Sequence, residues 1–374
     1  MGITRIRRSP GTSTSGREGT RLRLAVPALL LTLALAPACG RGPAYGSDNA
    51  IIAVVDPALR ESVEPVLRAS LEREVQTTRP EPIFEVTFTT PEGIGEFRNW
   101  KRLLVVEPGE NAVLLPDLVD TPLQGPVTAE VHDEWANDQT IYVLAAPTEE
   151  GTVQLVRSSV DSLFGVIHER FVEHHVERMW ASEPNSELAD RLRAELGFSL
   201  VLPRVYRSAG ASAPADSRVW YNEDPRRIVS IHWLPRPAEL TPDTILAVRR
   251  AWGRDLFPGD SVAGSLAPAP APAPAPATTA DTTASATATA RPGLQVERTR
   301  LDGAPAIRIQ GVWTNTADVS SGVFVTYGVI CGARMVLLDG NLYAPDRNKY
   351  PYVVQLDRIF ETFRCADGAT GSSA

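Results

Sequence analysis

Three stretches decide the fold: Ala306-Ile-Arg-Ile-Gln-Gly-Val-Trp313, Gly322-Val-Phe-Val-Thr-Tyr-Gly-Val-Ile330 and Met335-Val-Leu-Leu-Asp-Gly-Asn-Leu-Tyr343. Each is rich in β-branched and aromatic residues, the composition of strands. Alternation puts Ile307, Ile309, Gly311 and Trp313 on one face of their strand. It likewise puts Val323, Val325 and Tyr327 on a single face of theirs. Leu294–Arg300 precedes them, and Phe198–Leu202, Val219–Asn222 and Ile228–Leu234 lie further upstream as strand signals. Helices are predicted over Ser186–Leu196, with Gly197 past its end, and over Thr241–Leu256, opened by a Thr-Pro pair. A last helix is expected from Tyr350 to Phe363. This half reads as an antiparallel sheet with helices on one face.

The preceding half has another texture. Ile51-Ile-Ala-Val-Val55 reads as a buried strand, followed by a helix opened by Asp56-Pro57 and running to about Val75. Ile83–Phe88, Leu103–Val106 and Ile141–Ala145 read as strands, with the acidic stretch Glu130–Asn137 as a surface loop. A long amphipathic helix follows from Glu149 to Met179. The fold class expected is α+β, two sheet-plus-helix halves with the second mainly antiparallel. The first covers residues 50–180 and the second 181–363, with 364–374 a flexible tail. Residues 264–293 interrupt the second half. The run Ala267-Pro-Ala-Pro-Ala-Pro-Ala-Pro-Ala-Pro276 and the Thr/Ala/Ser stretch after it predict a disordered insertion.

Residues 1–38 read as a signal peptide. Six arginines against one acid precede the uncharged run Leu24–Ala36, which is too short for a comfortable membrane span. Ala36-Pro37-Ala38 then offers small residues at a cut before Cys39. A lipid-anchored Cys39 and ordinary secretion share that cut; the lipid-anchored form is preferred, with residues 39–49 as a tether. Six of the 37 basic and one of the 45 acidic residues leave with the leader, so 31 basic and 44 acidic remain, a formal charge of −13. Such a surface excludes phosphate-backbone recognition, so no nucleic-acid partner is expected, and membrane association would rest on acyl chains such as palmitate. Once Cys39 is assigned to the anchor, Cys331 and Cys365 remain as a candidate disulfide of an exported protein.

No catalytic signature emerges. His168 and His175 are seven residues apart, not the four of a zinc-binding helix, and a solvated helix face is the simpler reading. The spacing of cysteine and histidine shows no metal site, and no cofactor is expected. Gly93-Ile-Gly95 lacks the third glycine of a dinucleotide loop. Glu130, Asp133 and Glu134 could serve as acid and base only if the fold brought them together. The aromatics Trp220, Trp313, Tyr327 and Tyr343 are candidate ligand-binding residues, with a sheet core as the alternative.

Gly311-Val-Trp313, Gly322–Tyr327 and Leu338-Asp-Gly-Asn-Leu-Tyr-Ala-Pro345 resemble the closing segment of an uncharacterised bacterial lipoprotein family, domain of unknown function 4837. Further likeness lies in Leu196–Pro203 with Tyr206, in Val219-Trp220 and Ile228–Pro235, and in Arg98-Asn99 before Leu103–Val106. The resemblance spans about residues 50–363. It implies an envelope lipoprotein of α+β type facing the periplasm or carried by the outer membrane, and supplies no catalytic residues. The expected function is a binding or scaffolding module of the cell envelope, without catalysis, held to the membrane by its lipid and meeting an envelope protein or glycan. The alternative is an envelope hydrolase acting on glycan, peptidoglycan or lipid.

Overall fold

The computed structural model describes residues 4–6, 41–210, 214–263 and 293–365. The expected leader cut, Cys39, nearly all of the Ala/Pro/Thr insertion and residues 366–374 lie outside the described residues. Two compact units form: residues up to Arg73 with Phe84–Gly165, and Glu74–Ile83 with the chain from Val166 onward.

The first unit is built on strands β1 (Ala50–Val55), β2 (Glu85–Thr89), β3 (Arg102–Pro108), β4 (Val127–His132) and β5 (Thr140–Ala146). Their order is β2-β1-β3-β5-β4. The first four are parallel and β4 is antiparallel to β5. The unbroken apolar runs of β1, β3 and β5 explain this arrangement: a parallel strand covered on both faces can be apolar at every position. Ile51–Val55, Leu103–Val106 and Ile141–Ala146 are accordingly all buried. The short strand Thr4–Ile6 runs parallel to β4.

Helix α1 (Arg60–Leu71) turns Val63, Leu67 and Leu71 inward. It stops four residues before the expected Val75, which instead belongs to the short strand Glu74–Gln76 paired with Pro80–Pro82. Strand β4 replaces part of the expected acidic loop. Glu130 is buried within it, whereas Asp133 and Glu134 follow in the turn, so the three carboxylates are separated by the fold. Helix α2 (Glu149–Trp180) gives its first half to this unit, burying Val156, Val160 and Leu163.

The second unit holds α3 (Ser186–Leu196), β6 (Ser217–Glu223), β7 (Arg226–Pro235), α4 (Pro242–Leu256) and β8 (Asp260–Ala263). Strands β9 (Gln295–Leu301), β10 (Ala304–Asn315), β11 (Ser320–Cys331) and β12 (Arg334–Tyr343) and helix α5 (Tyr350–Phe360) complete it. The antiparallel order β6-β7-β12-β11-β10 continues into β8 and β9, which both pair with β10. Gly197 ends α3 at φ 73°, a left-handed conformation that glycine enters without strain, and its N–H closes on the Arg193 carbonyl. Of the strand expected over Phe198–Leu202, only Phe198–Ser199 pairs, with Arg364–Cys365. That pairing takes in the first two residues of the expected tail.

Helices cover both faces of this sheet rather than one. Val229, Ile231, Val325, Val329 and Leu338 pack with Leu192 of α3 and Leu356 and Phe360 of α5. On the reverse side, Ile307, Ile309, Phe324, Met335 and Leu337 pack with Ile245, Leu246 and Trp252 of α4. The alternation of each strand feeds two cores, so the near-continuous apolar sequence of β11 needs both.

Candidate ligand-binding groove

Helix α4 starts at Thr241, whose hydroxyl accepts the Thr244 N–H at 3.1 Å, with Pro242 in the first turn. It ends at Leu256, and at that end the sheet face is no longer fully covered. A cavity of about 540 Å³ lies there, lined by Leu256, Phe257, Asp260, Trp313, Asn341 and Tyr343, among others. A second cavity of about 340 Å³ shares Arg226, Ile228, Leu256 and Phe257 with it and reaches Tyr221 and Glu223 of β6. Together they form one groove running across the strands. A third cleft of about 440 Å³ meets it at Phe257 and Asp260 and is bordered by Arg250 and Arg254.

The floor beside the groove is a buried polar cluster. Arg249 of α4 donates through Nε to Asp339 Oδ1 at 2.6 Å and to Thr326 Oγ1 at 3.1 Å. Its Nη2 donates to Asn341 Oδ1 at 2.8 Å. Asn341 Nδ2 in turn donates to Asp339 Oδ2 at 2.6 Å, and the Thr326 hydroxyl to Asp339 Oδ1. The guanidinium lies 3.8 Å from the Phe324 ring centroid. Every member is buried, and the partners compensate the cost of removing two charges from water.

At the groove itself, Asp260 accepts a 2.7 Å bond from Asn315 Nδ2, and burial raises its carboxyl above the usual range. Trp313 is 8% exposed, and its Nε1 has no hydrogen-bond partner among the described residues. The indole packs over Gly322, its cross-strand neighbour. A Cβ there would sit 2.5 Å from the ring and 2.0 Å from the Leu342 carbonyl oxygen. Tyr343 lies beside Trp313, with ring centroids 6.2 Å apart.

Of the four candidate aromatics, the groove takes Trp313 and Tyr343. Trp220 and Tyr327 point to the other face, where both are buried in the core. Tyr327 donates to Asp357 Oδ1 at 2.8 Å, and Arg308 makes two 2.8 Å bonds to the same carboxylate. Burial, reinforced by Asp357, holds the Tyr327 phenol far above its usual range. The groove also uses residues the sequence did not single out: Tyr221, Arg226, Phe257 and Asp260. One signal pointed near them. Asp339 and Asn341 share the strand face of Met335 and Leu337, so two polar groups interrupt an apolar alternation.

Other polar groups are absorbed by structure. His232 Nδ1 faces both Ser217 Oγ at 3.3 Å and the Asp216 carbonyl oxygen at 3.1 Å. A nucleophilic triad needs opposite ring nitrogens for serine and carboxylate, and Ser217 Oγ already accepts from Trp252 Nε1 at 2.9 Å. Burial lowers the His232 pKa, favouring the neutral ring. His168 and His175 do not sit on a solvated face. His168 Nε2 lies 2.6 Å from the Tyr350 hydroxyl, and His175 is buried with its ring 4.4 Å from that of Phe171.

Glu107, buried at the end of β3, accepts N–H groups of Val113, Leu114 and Leu115 and so caps the turn Leu115–Leu118. Among the described residues no group of three or more His, Cys, Asp or Glu is placed to hold a metal. Among them, too, no helix is long and apolar enough to cross a membrane. Cys331 and Cys365 form a disulfide pair with Cα atoms 5.7 Å apart.

Residues 185–362 match the family described as domain of unknown function DUF4837, and residues 44–180 match a second, domain of unknown function DUF8532. The likeness to the first therefore stops short of the amino-terminal half, where the second takes over. No functionally curated protein matches the chain. Several solved structures overlap it in part, three of them as follows. Cyanobacterial PsbP (CyanoP) from Synechocystis sp. PCC 6803 is 11% identical with a TM-score of 0.28, over 45% of this chain and 86% of that one. LpqN of Mycobacterium tuberculosis, involved in cell envelope biogenesis, is 12% identical with a TM-score of 0.25, over 45% and 83%. A protein of Bacteroides thetaiotaomicron VPI-5482 is 7% identical with a TM-score of 0.24, over 46% of each chain. With TM-scores of 0.28 or less, none of them defines the fold or the ligand of this chain.

Proposed function

We propose that the protein is an exported binding module of the bacterial cell envelope, held to the membrane by a lipid on Cys39, with the groove at the end of α4 as its ligand surface. One observation carries the reading. A groove with cavities of about 540 and 340 Å³ is bordered by the rings of Tyr221, Phe257, Trp313 and Tyr343. A pocket with an apolar body and a few fixed polar groups is the usual form of a ligand site. The basic-then-apolar leader and the −13 charge of the remaining chain support export and a lipid-mediated rather than electrostatic hold on the membrane. The hydrolase alternative draws no support from Ser217 and His232, whose bonds are those of a structural cluster.

Hydrogen exchange tests the groove. Purified protein mixed with detergent-solubilised cell-envelope extract should exchange more slowly at residues 254–260, 312–322 and 340–344 than protein alone. Unchanged exchange in all three segments would overturn the binding reading.

A further inference from the structure

We infer that the groove is a glycan site, built for an uncharged oligosaccharide. This rests on the groove being the binding surface and names the class of molecule it takes. Its shape comes first. It crosses the sheet from β6 to β10, a span of about 19 Å for five strands spaced at ~4.8 Å. That is long enough for a short oligosaccharide lying across the strands. The rings are distributed along it, with Tyr221 at one end, Phe257 between, and Trp313 with Tyr343 at the other. Sugars offer apolar C–H faces to such rings and hydroxyls to planar polar groups between them.

Charge narrows the class. Glu223, Asp255, Asp260 and Asp318 line the two cavities of the groove with Arg226, and Arg250 and Arg254 border the cleft that meets it. Arg226 is itself paired with Glu223 at 3.3 Å. Phosphate, sulfate and carboxylate ligands would be repelled by these four carboxylates, and an acyl chain would strip water from them. Strand addition, in which an extended peptide pairs with the unpaired N–H and C=O groups of a sheet edge, is not open to a peptide here. This groove presents a sheet face whose strands are already paired with each other, so its free polar groups are side chains.

The test uses the full processed chain and two kinds of probe. Cellohexaose, maltohexaose and chitohexaose are titrated by calorimetry. At least one should bind saturably, and Tyr343→Ala should weaken it by about tenfold or more, the loss of a stacking ring. Tyr221→Ala on the edge hairpin gives an independent reading if Tyr343→Ala does not fold, and the exposed Val205→Ala should change nothing. In parallel, envelope extract is treated with periodate, which cleaves vicinal diols, or with a protease. Periodate should abolish its protection of the groove if cellohexaose or maltohexaose is the sugar bound, since 1,4-linked N-acetylglucosamine has no vicinal diol within the chain, and protease should leave protection intact whichever sugar binds. Loss with protease but not periodate would overturn the glycan class while leaving the groove as the binding surface. No binding of any hexasaccharide, together with periodate-resistant protection, would overturn it likewise. Saturable binding that both tyrosine variants leave unchanged would overturn the site.

Discussion

Arg249 is a cation that the chain buries to 7% exposure and sets against Asp339 at 0%. The pair stands at the foot of the groove and fixes α4 to strand β12, so the position of the groove wall depends on it. Removing one member leaves the other charged and buried. Arg249→Met should therefore cost about 3–5 kcal/mol, and Asp339→Leu a similar amount. The double variant should cost less than the sum by ~1 kcal/mol or more, because neither charge is then stranded. Urea denaturation of the four proteins measures this, and strictly additive losses would contradict the account. At this scale the sequence was half legible. Asp339 and Asn341 put two polar groups on one face of an apolar strand, a mark that the sequence carries without naming their partner. Arg249 did not stand out, because one arginine among several in α4 carries no mark of which side it faces. Trp220 and Trp313 look alike in sequence, yet the strand phase sends them into cores on opposite faces of the sheet, and only Trp313 also borders the groove.

Among the elements, those with both a period and a boundary residue were readable. Helix α3 starts at Ser186 as expected, with Asn185 before it as the capping residue, and ends where Gly197 puts it, while α4 starts where Thr241-Pro242 puts it. Strand β4 was hidden because it carries Glu130 at a buried position and so lacks a clean apolar alternation. The carboxy-terminal pairing of Arg364–Cys365 with Phe198–Ser199 was hidden too, since two-residue strands have no period. That pairing is held by the Cys331–Cys365 bridge, which spans 34 residues and ties the end of β11 to the close of the fold. Closing a loop of this length removes unfolded-state freedom worth about 3–4 kcal/mol. The Cys331→Ser/Cys365→Ser variant should unfold at correspondingly lower denaturant with its folded spectrum intact. Equal midpoints, or two alkylatable thiols in the native protein, would show that the bridge does not contribute.

For the molecule as a whole, the two sheet textures were legible from the sequence. The aromatic, β-branched strands of the second half gave its antiparallel sheet, whereas the first half was read only as buried strands with helices and its parallel order was not read. Coverage of the antiparallel sheet on both faces was not legible, because an apolar residue does not say which helix it meets. The proposed envelope role requires that the leader be removed and Cys39 acylated. The structure pairs Thr4–Ile6 with β4, and processing would take that strand away and leave β4 as the sheet edge. Mass spectrometry of the native protein's amino-terminal peptide decides between these states most directly. The account predicts a chain beginning at a diacylglycerol-modified Cys39, converted to a soluble exported form by Cys39→Ser. Native protein that begins at Met1 and carries no lipid would contradict it.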